Sequence, residues 1–480
     1  MGKSIKRNFL YNILLNISKV VFPLITAPYV SRVLEPDGVG LFNFANTYAS
    51  WFSLFAALGI PYYGIREIAK VKDDVSEETR FVSEIISISV VTTIVCTVFL
   101  FLSLLLIPQL TENYIIFLVA AIVLYTTPFK IDWYFSGREE FGFITLRSLI
   151  VKSLSVVLLF IFVRSKDDLL KYVALNAGGL VLNELWNFIK LYRLGVHPYF
   201  TLSGKRHIKP LLILFSSSIA ISVYTILDTL MLGFMNSYSE VGYYNCATHI
   251  SKLILPVVTS LAAVVLPRIT DYKKDDKWEE INALINKSFS TVSFLSFPIA
   301  VGIIVISPVF TPLFFGENFY GSILPLQIII LTIVIVGFSN ITGIQILLGF
   351  GLDKLFLYSI LVGTFSNFML NCLLIPLYGA SGAAVSSVIA EILILVVMIY
   401  YVKKHTKIKF RRTRDLMVTI CISLLFLPIG YFLLYCFRGW YFVVITIVVC
   451  MSVYVLLQYL LKNQSLKLAI SLLRGKISKV

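Results

Sequence analysis

Three lysines sit where a membrane helix tolerates charge badly. Lys19 lies near the middle of the apolar stretch 8–30, Lys152 in 141–163 and Lys252 in 242–267. A charge at the centre of a membrane helix costs about 2.5–3.5 kcal/mol on insertion scales, so it normally faces protein or water. None of the three has an acidic neighbour in sequence. Lysine meets phosphate as a point charge, so the set predicts a wet, cationic cavity suited to an anion. Asn16, Asn43 and Asn245 could offer hydrogen bonds to sugar hydroxyls or phosphate, as could His249, one helical turn before Lys252 on the same face. Asp228 and Glu391 are the candidates for coupling an ion, and Pro23, Pro28 and Pro256 would free backbone carbonyls to line the cavity. Each residue also has a structural reading. Lys152 could reach toward the cytoplasmic surface, Asp228 could bond a neighbouring helix, and Glu184 or Glu391 could pair with a lysine. The amides could be helix-to-helix contacts, and His249 a satisfied interface histidine.

The elements that must position these residues follow from composition. The chain has 480 residues, 58% hydrophobic and only 14% charged, with mean hydropathy +0.87. Soluble domains carry about 45–50% apolar and about 25% charged residues. A soluble enzyme, a disordered chain and a disulfide scaffold are excluded. The six cysteines fall in apolar runs and form no C-x-x-C pair. A spanning helix needs roughly 20 apolar residues, and runs this long predict helices rather than barrel strands. The expected fold is an all-α membrane protein with 14 transmembrane helices. They cover 8–30, 39–60, 81–107, 114–135, 141–163, 169–190, 211–233, 242–267, 284–306, 322–348, 355–376, 380–402, 416–437 and 440–461.

Charge distribution sets the orientation. With a cytoplasmic N-terminus, the inside segments take nearly all the loop lysines and arginines; the outside ones take only Arg32, Arg164, Lys166, Lys171 and Arg438. That bias predicts both termini in the cytoplasm and accounts for most of the +15 net charge without nucleic acid. The first apolar stretch is too long for a signal-peptide core, so it reads as a retained helix.

A repeat organises the spans. Val39-Gly40-Leu41-Phe42-Asn43-Phe44-Ala45 and Val241-Gly242-Tyr243-Tyr244-Asn245-Cys246-Ala247 both read V-G-x-x-N-x-A, 202 residues apart, and Arg66 and Arg268 share that offset. Both copies enter the membrane from outside, so the repeat is parallel. It predicts a six-helix lobe over 1–189, a basic linker over 190–210, a second six-helix lobe over 211–402, and a basic loop, helices 13–14 and tail over 403–480. Such a pair can rock about a central site.

No P-loop, H-E-x-x-H, G-x-S-x-G or metal-ligand cluster occurs, so no enzyme activity, metal or cofactor is expected. The outside loops are too short for a catalytic domain.

Four segments carry a family resemblance. Ser31-Arg32-Val33-Leu34-Glu35-Pro36-Asp37-Gly38-Val39-Gly40 resembles the R-x-L-G-P-E-x-Y/F-G loop of bacterial polysaccharide flippases, with Glu35 in place of the usual glycine. Gly64-Ile65-Arg66-Glu67-Ile68-Ala69 is similar to their G-x-R-E-I-A segment. Asp132-Trp133-Tyr134-Phe135-Ser136-Gly137-Arg138-Glu139 resembles D-W-x-F-Q-G-x-E, with Ser136 for Gln. Pro376-Leu377-Tyr378-Gly379-Ala380-Ser381-Gly382-Ala383-Ala384 resembles P-x-x-G-x-x-G-A-A. The chain thus resembles Wzx-type lipid-linked oligosaccharide flippases, in the superfamily of the MATE exporters and the lipid II flippase.

The resemblance implies two lobes in a MATE-like V around a central cavity, plus two C-terminal helices. It implies a substrate of undecaprenyl-diphosphate bearing an O-antigen, capsule or similar repeat unit, moved from the inner to the outer leaflet of the bacterial cytoplasmic membrane. Its partners would be this lipid-linked oligosaccharide, membrane lipids, a glycan polymerase and a chain-length regulator. Lys19 and Lys252, with Lys152 secondary, would hold the diphosphate. Two other readings stand beside it: a MATE-type drug or cation antiporter, which would want carboxylates in the cavity, and a non-transporting scaffold of a glycan-synthesis complex, which needs no buried lysines.

Overall fold

The computed structural model describes residues 5–72, 74–410, 414–463 and 466. Among the basic residues of the orientation argument, Lys3, Arg411, Arg412, Lys467, Arg474, Lys476 and Lys479 lie outside the described residues. The described chain is helical, with no strand. It divides into two compact units, Met1–Gly242 and Tyr243–Val480.

The first unit contains α1 (Ile5–Ala57), α2 (Ile60–Val71), α3 (Val75–Leu106), α4 (Pro108–Thr111), α5 (Tyr114–Ala120), α6 (Ile122–Tyr125), α7 (Asp132–Gly137), α8 (Phe141–Phe162), α9 (Leu169–Arg193) and α10 (Lys205–Met235). The unit boundary falls inside α11 (Tyr238–Thr259). The second unit continues with α12 (Leu261–Lys274), α13 (Trp278–Phe315), α14 (Ile323–Ile329), α15 (Thr332–Asn340), α16 (Asp353–His405), α17 (Arg414–Leu424), α18 (Phe426–Cys436) and α19 (Gly439–Leu460).

Among the described residues, eight helical segments are long and apolar enough to cross a membrane. Helices suit that setting because every backbone polar group is satisfied within the segment. Large apolar side chains cover their outer faces, among them Phe99, Leu105, Phe365 and Leu373, all exposed. A water-soluble fold would bury such residues; here they match hydrocarbon. The chain is a multi-pass membrane protein.

Two helices, α1 and α16, have 53 residues each. At about 1.5 Å per residue each would run about 80 Å, well beyond a hydrocarbon core of about 30 Å. Each contains one break. In α1 it is Glu35, at φ 58° and ψ 175°; in α16 it is Gly379, at φ 52° and ψ −129°. The second break explains the Pro376–Ala384 motif. Gly379 supplies the positive φ, and a Cβ on Gly382 would run into the Leu374 carbonyl oxygen. Pro23 and Pro28 lie inside continuous helix and do not break the first span; the only non-helical backbone in α1 is at Glu35.

The other helix ends follow from local chemistry. Asp74 caps α3, its carboxylate accepting from the backbone N–H of Ser76 at 2.8 Å and of Glu77 at 3.3 Å. Ser165 and Asp168 form a capping box just before α9. A hydrogen bond from Lys171, joined by the backbone N–H groups of Arg164 and Ser165, holds the Asp168 carboxyl well below the usual carboxylate range.

Two of the remaining motif segments pack on each other. Helix α2 buries Ile60, Tyr63, Gly64 and Ile68 along one face, which rests on α7. A Cβ on Gly64 would strike the Trp133 ring, and one on Gly137 would crowd the Ile65 carbonyl and the Ile68 side chain. Tyr134 donates to Glu78 at 2.8 Å, and Arg138 pairs with the same carboxylate. On the exposed side of α2, burial works against the Glu67 carboxylate, but hydrogen bonds from Lys70 and Arg66 outweigh it and lower its pKa.

The basic stretch 194–210 is tied down too. Backbone N–H groups of Tyr199 and Thr201 donate to Ser83 and Ser87 of α3 at 3.0 and 2.9 Å. His207 bonds Tyr63 through Nδ1 at 2.6 Å and Glu84 through Nε2 at 2.7 Å, and Arg206 reaches Glu84 at 2.9 Å.

Candidate functional site

Lys19 and Lys152 come together in the first unit. On α1, Asn12, Asn16 and Lys19 follow one another at helical spacing on one face. The Lys19 ammonium donates to Asn16 Oδ1 at 3.3 Å, and the Asn16 amide donates to Asn12 Oδ1 at 3.4 Å. From α8, Lys152 donates to Ser18 Oγ at 3.1 Å and lies 5.8 Å from the centre of the Phe22 ring. The two ammonium groups act on each other electrostatically. Neither has a carboxylate within ion-pair distance among the described residues. Lys19 is exposed and Lys152 half-buried. Two like charges held together without a counter-charge favour an anion between or beside them. Lys152 is anchored on α1 rather than stretched toward the end of its own helix.

Lys252 lies in the second unit, on α11, with its side chain exposed. It acts electrostatically on His249, whose Nε2 is buried without a hydrogen-bond partner among the described residues. Lys19 and Lys252 share a local feature, because a proline follows each by four residues, Pro23 and Pro256. Proline has no N–H, so each withholds the bond that the lysine's own carbonyl would accept in a regular helix.

The other expected site residues are placed as follows. Asn43 turns its amide onto the Val39 carbonyl of its own helix, at 2.8 Å. Asn245 is half-buried on α11, and its backbone carbonyl accepts from Thr248 at 3.2 Å. Asp228 is buried on α10, and Glu391 is half-buried on α16.

A second polar cluster shows in the sequence only as interruptions of apolar spans. Arg147 of α8, just 3% exposed, donates to Asp132 at 2.8 Å. Asn187 of α9 donates to Asp132 at 3.0 Å and to Glu184 at 2.9 Å. The i, i+3 spacing of Glu184 and Asn187 is the signal that would have joined them.

The two copies of the V-G-x-x-N-x-A segment meet at their starts. A Cβ on Gly40 would collide with the Tyr238 carbonyl oxygen, and one on Gly242 with the Pro36 carbonyl oxygen. Since 36 and 238, like 40 and 242, are 202 apart, each glycine packs on the position equivalent to the one its counterpart packs on. Ser239 donates to Asp37, its own equivalent at the same offset.

A family model described as "Polysaccharide biosynthesis protein" matches residues 5–273, more than half of the chain. The chain belongs to this polysaccharide biosynthesis family. A relative from Escherichia coli (strain K12), "Putative O-antigen transporter", is 24% identical over 412 residues, covering 84% of this chain and 97% of the relative. Among solved structures, an inward closed conformation of the lipid II flippase MurJ superposes with a TM-score of 0.66 at 18% identity, covering 92% of this chain and 99% of that one. An inward-facing MATE-family multidrug resistance transporter superposes with a TM-score of 0.59 at 15% identity, covering 84% and 95%. At these identities the two structures establish a shared fold. In this family member, Gly64 and Gly137 serve helix packing, while Lys19 and Lys152 have no carboxylate within ion-pair distance among the described residues.

Proposed function

We propose that the chain moves undecaprenyl-diphosphate-linked oligosaccharide repeat units from the inner to the outer leaflet of the bacterial cytoplasmic membrane. The observation that carries this reading is the Lys19–Lys152 ammonium pair, held without a nearby carboxylate on apolar helices. The family and its O-antigen relative support the substrate class.

The proposed architecture has 14 spans with both termini cytoplasmic. Helices α1 and α16 each cross twice by turning at Glu35 and Gly379. Lobes over 1–189 and 211–402, joined by 190–210, rock about the site, and 403–480 adds helices 13 and 14. The glycine contact of Gly40 and Gly242 then lies at the outer end.

The glycan and diphosphate cannot enter hydrocarbon, whereas the prenyl chain can stay in it. Lys19 and Lys252, with Lys152, hold the diphosphate, while Asn16, Asn43, Asn245 and His249 face the head group. Asp228 and Glu391 are the positions for ion coupling. The chain performs no covalent chemistry; a polymerase and a chain-length regulator act on what it delivers. Along α13, an apolar groove of about 390 Å³, with Leu295, Ile299, Ile303, Ile447 and Met451 on its walls, suits a hydrocarbon chain.

The test is made in cells. Lys19→Ala and Lys252→Ala should each abolish surface glycan while leaving the protein at its normal level in membranes. Full export by the double variant would overturn the cationic site.

A further inference from the structure

A cavity of about 280 Å³ opens in the first unit, with neither Lys19 nor Lys152 on its walls. Its walls come from the second half of α1, the start of α2, α3, the segment from Thr127 to Trp133, and Ile226 of α10. Four side chains give it chemistry. Ser53 and Thr127 share a hydrogen bond of 2.7 Å. Lys130 donates to the Val123 carbonyl at 2.9 Å and to Ser53 at 3.4 Å, which uses two of its three N–H bonds. Ser89 is only 3% exposed, and its hydroxyl has no partner among the described residues. A buried hydroxyl without a partner costs stability unless something else completes it. The Trp133 ring, pressed against Gly64, supplies a rigid apolar wall.

The charge balance selects the ligand. Glu184 and Asp132 both act electrostatically on Lys130, whereas Lys19 and Lys152 have no carboxylate within ion-pair distance among the described residues. A neutral group rich in hydroxyls fits better than a phosphate. The volume sits just under the roughly 300 Å³ at which drug-sized pockets begin, the scale of one sugar ring. We infer that this cavity binds a single pyranose ring of the head group, with Lys130, Ser53, Thr127 and Ser89 bonding its hydroxyls and Trp133 meeting its apolar face. The inference rests on the flippase reading and adds a sugar site separate from the diphosphate site.

The experiment measures binding by the full-length protein in lipid nanodiscs. The probes are undecaprenyl diphosphate alone and the same lipid bearing N-acetylglucosamine, N-acetylgalactosamine, glucose or galactose. Two or three added hydrogen bonds should make at least one glycosylated lipid bind roughly tenfold tighter than the bare one. Ser89→Leu fills the cavity from α3, and Ser50→Leu fills it independently from α1 should the first variant misfold. Each should reduce that ratio to about one, with the affinity for bare undecaprenyl diphosphate held within about twofold. Lys19→Met/Lys152→Met should weaken all five lipids alike and leave the ratio intact. A tenfold ratio surviving in both cavity variants, or a ratio of one for all four sugars in the unaltered protein, would overturn the sugar site. Failure of the flippase reading looks different: bare undecaprenyl diphosphate would bind no tighter than undecaprenol.

Discussion

Glu35 holds a backbone conformation that only glycine adopts cheaply. Its φ of 58° with ψ of 175° lies in a region costing side-chain-bearing residues about 1–3 kcal/mol. The resembling flippases carry glycine at this loop position, and the geometry explains why. Glu35→Gly should therefore raise the thermal stability of the purified protein by several degrees; an unchanged or lower melting temperature would mean that the glutamate side chain makes a compensating contact. Other residues stand out in the sequence itself. Lys19 and Lys152 announced themselves as charges inside apolar runs. Their meeting did not, because it depends on how α8 packs against α1. Lys130, Asp132 and Arg147 stand in linear order as isolated charges within apolar runs, and nothing there reveals that Asn187 bonds the same carboxylate as Arg147.

At the scale of elements, the repeat is the feature that sequence carried best. Its five identities are sparse, yet the glycines fall where two backbones touch and where any Cβ would force them apart. What the pattern could not show was that one copy's start would lie against the other's, since the 202-residue offset carries no distance. In a cysteine-free background, Asp37→Cys/Ser239→Cys should cross-link under mild oxidation, and the cross-linked protein should stop exporting glycan until reductant is added. Export that continues with the bond formed would mean that this end need not open. The prolines show the opposite failure. Proline is a helix breaker in water, but α1 runs through Pro23 and Pro28, because membrane helices can re-satisfy the freed carbonyl from neighbouring groups. Turns at Glu35 and Gly379 were visible as short polar or glycine-containing gaps between apolar runs.

For the whole molecule, composition alone excluded a soluble protein, and the apolar faces of α3 and α16 agree. The shared fold with a lipid II flippase and a MATE transporter leaves the cargo open, since one fold can serve both. The sign of the charge separates them. A cation exporter needs carboxylates at its centre, whereas Lys19 and Lys152 offer two ammonium groups with no carboxylate near them among the described residues. On the proposed reading, these lysines, with Lys252, grip a diphosphate during transfer between leaflets. The direct measurement is transfer of a fluorescent undecaprenyl-diphosphate saccharide across proteoliposomes, read as quenching by a membrane-impermeant reductant. Loss of three charge-assisted contacts, each worth about 1.5–3 kcal/mol, should slow transfer at least a hundredfold in Lys19→Met/Lys152→Met/Lys252→Met relative to the unaltered protein. Transfer at an undiminished rate in the triple variant, with the protein folded and correctly inserted, would contradict the account.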